Sequence, residues 1–240
     1  MSYQRSSTRL LTFYKSKLMP CPYLADRNEQ QLFTELSGTS AQEQFEVLSQ
    51  GGFRRSHQVI YRPACQACDA CTPVRILTQD FKMTRAWRRI INKNANLIVQ
   101  NVGKNVTDEQ YDLFQRYVTA RHSNGEMANM SQRDYASMVL TSPVDTSIIE
   151  FRTPDNTLVG GCLIDHLSDG YSAVYSFFEP NRRCQSLGSY IVLWLVQQAK
   201  VQGLAHIYLG YLVEGSTKMA YKVRFAPLES FGADGWKVID

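Results

Sequence analysis

The chain has 240 residues, is 44% hydrophobic and 20% charged, and carries six cysteines and a formal net charge of +4. That composition is globular rather than disordered, and the length allows one large domain or two small ones with a sizeable core. The opening MSYQRSSTRLLTFYKS has no apolar run of signal-peptide length, and the longest apolar run, Tyr190 to Val196, is too short to span a bilayer. The expectation is therefore a soluble, cytoplasmic protein with no membrane partner.

In chain order, residues 10–36 read as short strands and loops. SAQEQFEVLSQGG reads as a helix, with Ser40 and Glu43 as a capping box and Gly51 and Gly52 as its stop. HQVIY and PVRIL read as strands on either side of a cysteine loop. TRAWRRIINKN reads as a helix with Trp87, Ile90 and Ile91 on an apolar face and Arg85, Arg88, Arg89 and Lys93 mostly on the other. NLIVQNV is a strand, TDEQ is a second capping box opening a helix over 107–124, and Ser131 opens another. TSIIEFR, TLVGGCLIDHL and YSAVYSFFEP are strands joined by the turn sequences PDN and SDG. QSLGSYIVLWLVQQAKVQG is a long buried helix, AHIYLGYL a strand, TKMAYKV a short helix, and the end is strand-like again.

From Phe53 to Lys93 nine Lys or Arg face two acids, a local charge of +7 that leaves the rest of the chain at −3. Such a field suits a polyanion such as RNA, and arginine, which predominates here, suits phosphate geometry; a solvated basic surface is the plainer reading. Inside that segment Cys65, Cys68 and Cys71 form a C-x-x-C-x-x-C loop. A zinc ion or an iron–sulfur cluster usually needs a fourth ligand, and Cys21, held between prolines in MPCPYL, is the natural candidate. Four reduced thiols in a loop that needs no metal remain the other reading. Cys162 and Cys184 read as packing residues.

The order of elements from about Ala95 is that of the GCN5-related N-acetyltransferase (GNAT) fold. The expected fold class is α+β, with an N-terminal cysteine-rich and basic domain over 1–94 and a GNAT-like domain over 95–240. RRCQSLGSY falls between a strand and a helix N-terminus, where acetyltransferases hold the coenzyme A pyrophosphate. Gln185 and Gly188 match that loop, but Tyr190 replaces a small residue, and Arg182 and Arg183 are left for the phosphates of another ligand. Further on, Lys218, Tyr221 and Lys222 recur at helical spacing and are expected to share a face that holds a nucleotide end.

Taken together, CPYL, GFRRS, YRPACQACDAC, WRRIINKN, DHLSDGYSAVYSFFEP, SLGSY and LGYLVEGSTKMAYK resemble the arginyl-tRNA–protein transferase family, nearest to its compact bacterial aspartate/glutamate leucyltransferase branch. The resemblance implies transfer of leucine from aminoacyl-tRNA to the N-terminal amine of proteins beginning with Asp or Glu, which marks them for N-end-rule degradation. It implies chemistry that requires no cofactor, since the ester donor is already activated. On that basis Arg54 and Arg55 are expected to grip the acceptor's carboxylate, Arg85, Arg88, Arg89, Lys93, Arg182 and Arg183 to meet tRNA, and Tyr175 and Glu179 to lie near the transfer point. Arginyl transfer by the same mechanism and an acetyl-CoA-dependent N-acetyltransferase stay open as alternatives. So does a zinc-dependent nucleic-acid-binding module without catalysis.

Overall fold

A computed structural model describes residues 11–122, 125–182 and 185–239. The N-terminal part supplies β1 (Tyr14–Lys15), β2 (Met19–Pro20), β3 (Asn28–Glu29), β4 (Gln31–Glu35), α1 (Ala41–Gln50), β5 (Arg54–Ser56), β6 (Val59–Pro63), β7 (Cys71–Leu77) and α2 (Arg85–Lys93). Then follow β8 (Ile98–Asn101), α3 (Asp108–His122), a 3₁₀ turn (Glu126–Asn129), α4 (Gln132–Leu140), β9 (Thr146–Arg152), β10 (Leu158–Leu167) and β11 (Gly170–Phe178). The chain closes with α5 (Leu187–Val201), β12 (His206–Val213), a 3₁₀ turn (Ala220–Arg224), β13 (Leu228–Gly232) and β14 (Gly235–Ile239). Among the described residues, no helix is long and apolar enough to cross a membrane.

Helix boundaries follow local hydrogen bonding. Thr107 and Gln110 bond reciprocally at 3.2 and 3.3 Å, the capping box that TDEQ predicts. Ser131 and Asp134 do the same ahead of α4. Ser40 does not cap α1. Its backbone (φ −97°, ψ 5°) is already near-helical rather than extended, so its hydroxyl is not carried over the free amides; it accepts instead from Gln44 Nε2 at 2.9 Å.

The main sheet has eight strands in the order β14-β13-β7-β12-β11-β10-β9-β8, antiparallel throughout except for β11 and β12. A four-stranded sheet (β1-β4-β6-β5) and a two-stranded one (β2-β3) complete the sheets. Both faces of the main sheet are covered, which is why TSIIEFR and TLVGGCLIDHL lack a polar face. Side-chain alternation sends Ile148, Leu163 and Phe177 into a core with α3 and α4. Ile149, Phe151 and Ile164 enter a second core with α5, which is apolar on nearly every side. The expected boundary at residue 94 does not divide this sheet. β7 lies between β12 and β13, and Val74, Ile76 and Trp87 belong to the same core as α5.

Helix α2 is seated by Trp87, 4% exposed, whose ring stacks on Phe225 at 4.8 Å and 8° between planes. Ile90 and Ile91 pack against the same core, as the expected apolar face requires. Trp87→Ala should cost about 3–5 kcal/mol and loosen α2 in particular. Chemical denaturation and hydrogen exchange of the α2 amides check this; exchange that stays slow would mean the helix is anchored elsewhere.

Candidate functional site

The parallel ladder between β11 and β12 runs for only three register pairs, Gly170 with His206, Tyr171 with Ile207 and Ser172 with Tyr208. Past that point β12 shifts register against β7 between Tyr208 and Gly210, and Gly210 takes φ +72°. Into the opening reaches Arg54 from β5. Its guanidinium donates to Leu209 O and Ala173 O, each at 3.3 Å, and to Val174 O. The carbonyls that the interrupted ladder leaves open are thus met by one side chain. A Cβ at position 210 would lie 1.7 Å from the Arg54 terminal nitrogen, so only glycine admits this arginine here.

Lys222 Nζ donates to Tyr211 O beside it, and Lys222 is 3% exposed. Burial above all, and then the Arg54 charge, push its ammonium down from 10.5 to about 7; the Cys71 side chain opposes this weakly. The Tyr211 hydroxyl donates to Tyr61 O at 2.9 Å and Gly52 O at 3.2 Å, joining β12 to the smaller sheet. Burial raises the phenols of Tyr61, Tyr221 and Tyr211, so they stay neutral donors. Lys218, Tyr221 and Lys222 do not share a face. The Ala220–Arg224 turn is 3₁₀, with near-threefold spacing, so Lys222 turns inward with Phe225 while Lys218 and Tyr221 are exposed.

Arg55, next along β5, points to the other side of the strand and is 1% exposed. Its Nε and a terminal nitrogen donate to the two oxygens of Asp165 at 2.7 and 2.6 Å, and its third nitrogen donates to His57 O at 2.6 Å. Thr146 donates to the same carboxylate at 2.7 Å. Arg55 is therefore not available to an acceptor carboxylate: its fork is already filled, and it ties the small sheet to β10.

Helix α2 presents Arg85, Arg88, Arg89 and Lys93, all exposed, which with Asn92 line a shallow basic depression. Arg224 lies over the Trp87 ring at 5.0 Å beneath them. Arg182 is half-buried, its backbone N–H on Glu179 O at 3.2 Å; Arg183 and Cys184 lie outside the described residues. At the head of α5, Ser186 takes φ +53°, and Asn94 Nδ2 holds Gln185 O at 2.8 Å.

The Tyr175 ring packs against Phe114 and Tyr117 at 5.8 and 6.4 Å, and its buried hydroxyl has no hydrogen-bond partner among the described residues. Glu179 accepts from Arg116 Nε and from the Asn181 backbone, both at 3.3 Å, so its carboxylate is held at the strand end.

Cys21, Cys65, Cys68 and Cys71 are all half-buried free thiols. Burial first, and then the nearby Cys21, Cys65, Cys68 and Glu29, push the Cys71 thiol up to about 11. As a donor set, four soft thiols suit zinc or an iron–sulfur cluster. Among the described residues no group of three or more His, Cys, Asp or Glu is arranged to hold a metal ion. Cys65 instead accepts the Gln30 N–H at 3.4 Å. Cys162 is fully buried in the α5 core, its thiol pushed up to about 12 by burial.

Sequence reasoning passed over Gly210, Tyr211 and Tyr61. The available signal was the glycine inside the strand sequence AHIYLGYL, which marks a bulge or a close approach of another group.

Known proteins place this architecture. Models of the arginine-tRNA-protein transferase N terminus and C terminus match residues 19–89 and 109–232. The chain is 50% identical over 225 residues to an aspartate/glutamate leucyltransferase of Paramagnetospirillum magneticum, covering 94% of this chain and 92% of that one. It is 46% identical over 233 residues to one of Parvibaculum lavamentivorans, covering 97% of each. Among solved structures, L-PGS from Bacillus licheniformis superposes with a TM-score of 0.49 at 12% identity over 74% of this chain and 54% of that one, too remote to decide anything. The chain belongs to the arginine-tRNA-protein transferase family.

Replacing Arg55 by Met should cost about 3–5 kcal/mol, because Asp165 is left buried and uncompensated. The double variant Arg55→Met with Asp165→Leu should recover part of that loss. Urea unfolding of the three proteins checks it, and a single variant as stable as the parent would show the pair to be dispensable.

Proposed function

We propose that this protein is a cytoplasmic aminoacyl-tRNA–protein transferase that moves leucine from leucyl-tRNA to the N-terminal amine of proteins beginning with Asp or Glu, marking them for degradation. The observation that carries the reading is the near full-length likeness to relatives named for that transfer. The stretch from 95 onward reads as an acetyltransferase-like acyl-transfer domain, with the parting of β11 and β12 as its reaction cleft.

The amine attacks the ester carbonyl, the C–N bond forms, and the C–O bond to the terminal ribose breaks with the proton passing to that oxygen. The ester is already activated, and a free α-amine titrates near 7.7–8.0, so a useful fraction is neutral without a strong base. What the protein must supply is geometry, worth up to about 7–11 kcal/mol. The α2 depression takes the tRNA backbone, with Arg182 further along. Arg54, half-buried in the cleft, is the arginine of GFRRS that faces the acceptor. Tyr175 lines the transfer point. Cys21, Cys65, Cys68 and Cys71 are the residues that would hold zinc or an iron–sulfur cluster, and no step is assigned to such a group.

Leucine is favoured over arginine because the relatives that match nearly the full chain are named aspartate/glutamate leucyltransferases. The test is transfer of labelled leucine, with arginine as the parallel donor and acetyl-CoA as the third, to a peptide beginning with Asp. Leucine should be incorporated and the other two should not; preferential arginine or acetyl incorporation overturns the assignment. In the same system Arg88→Ala and Arg89→Ala should each lower the salt dependence of tRNA binding by roughly one unit of slope. An unchanged slope would remove α2 from the tRNA path.

A further inference from the structure

Arg54 and Lys222 are two basic side chains with no ion-pair partner among the described residues. Arg54 comes from β5 and Lys222 from the 3₁₀ turn after β12, and each is anchored on backbone carbonyls only: Arg54 on Leu209, Ala173 and Val174, Lys222 on Tyr211. The ionisable groups acting on Lys222 are Arg54 and Cys71, and the acid Glu29 acts with Arg54 on the nearby Tyr61. Elsewhere the protein handles a buried cation differently: Arg55, one residue away, has its own carboxylate in Asp165. Bringing two like charges together out of water is unfavourable unless an anion joins them. Carbonyl oxygens orient such cations but leave the net charge in place.

We infer that Arg54 and Lys222 together are the carboxylate site for the acceptor's first side chain, with Lys222 as the residue that sets the preference for Asp and Glu over their amides. The inference rests on the transferase reading above. Arg54 is half-exposed and Lys222 buried, so the pair offers one reachable cation backed by one dry one. A carboxylate entering there neutralises both. An amide side chain of the same shape would find two cations and bring no charge. Gly210 belongs to the same device, since its missing side chain is what admits the Arg54 guanidinium to β12. A nucleic-acid phosphate is the competing anion. The α2 depression, open and shallow, suits a phosphate backbone, whereas the Lys222 ammonium lies deep in the fold.

Lys222→Met should lose at least about 100-fold in kcat/KM for leucyl transfer to an Asp-starting peptide, bring the Asp-to-Asn ratio near unity, and keep its affinity for charged tRNA within about twofold. Persistence of the Asp preference overturns the inference. So does a collapse of tRNA affinity with the preference intact, which would make this a phosphate site. Should Lys222→Met not fold, inhibition of the parent enzyme by Asp-Ala and Asn-Ala dipeptides decides. Asp-Ala should inhibit at least about 10-fold more strongly than Asn-Ala, and equal inhibition overturns the inference. Failure of the parent to transfer leucine to an Asp peptide at all would sink the transferase reading instead.

Discussion

The parallel pairing of β11 with β12 stops after three residue pairs, and the carbonyls beyond it need donors. Arg54 supplies them, which fixes where β5 must lie and hence where the whole four-stranded sheet docks. Gly210 is the counterpart of that demand: the turn of β12 that opens the ladder is made at the residue whose missing side chain leaves room for the guanidinium. Cleft and docking are consequences of one backbone choice.

The neighbouring arginine performs a different task with the same chemistry. Strand alternation sends Arg54 and Arg55 to opposite sides, so one dipeptide reaches both the cleft and the buried Asp165. The Asp165 pair is closed on itself by Thr146, leaving no unspent charge. The Arg54–Lys222 pair is the reverse, satisfied in hydrogen bonds but not in charge. The first arrangement closes its charge within the fold, and the second does not.

Much of this order was legible in the residues. Reciprocal caps at Thr107 and Ser131 are local, and the runs TSIIEFR and TLVGGCLIDHL declare buried strands by composition alone. The failures are of three kinds. Ser40 has the right partners in sequence but the wrong backbone dihedrals, which the sequence does not encode locally. Lys222 was placed by a helical spacing of 3.6, and a 3₁₀ turn moves it to the inner side. The roles of Arg54 and Arg55 depend on which side of β5 faces which sheet, a matter of long-range pairing. The path of β7 into the centre of the sheet is equally non-local, whereas the order of elements from about Ala95 points to a boundary at residue 94.

That path also shapes how the chain comes off the ribosome. β7 begins at Cys71, while the strands that flank it begin at His206 and Leu228. Through most of synthesis both its edges are bare, and the strands that will cover them do not yet exist. Bare edges invite pairing with the wrong chain. Completion of the main sheet waits on β12 and β13, made long after β7, so a chain that stalls short of β13 keeps this edge open.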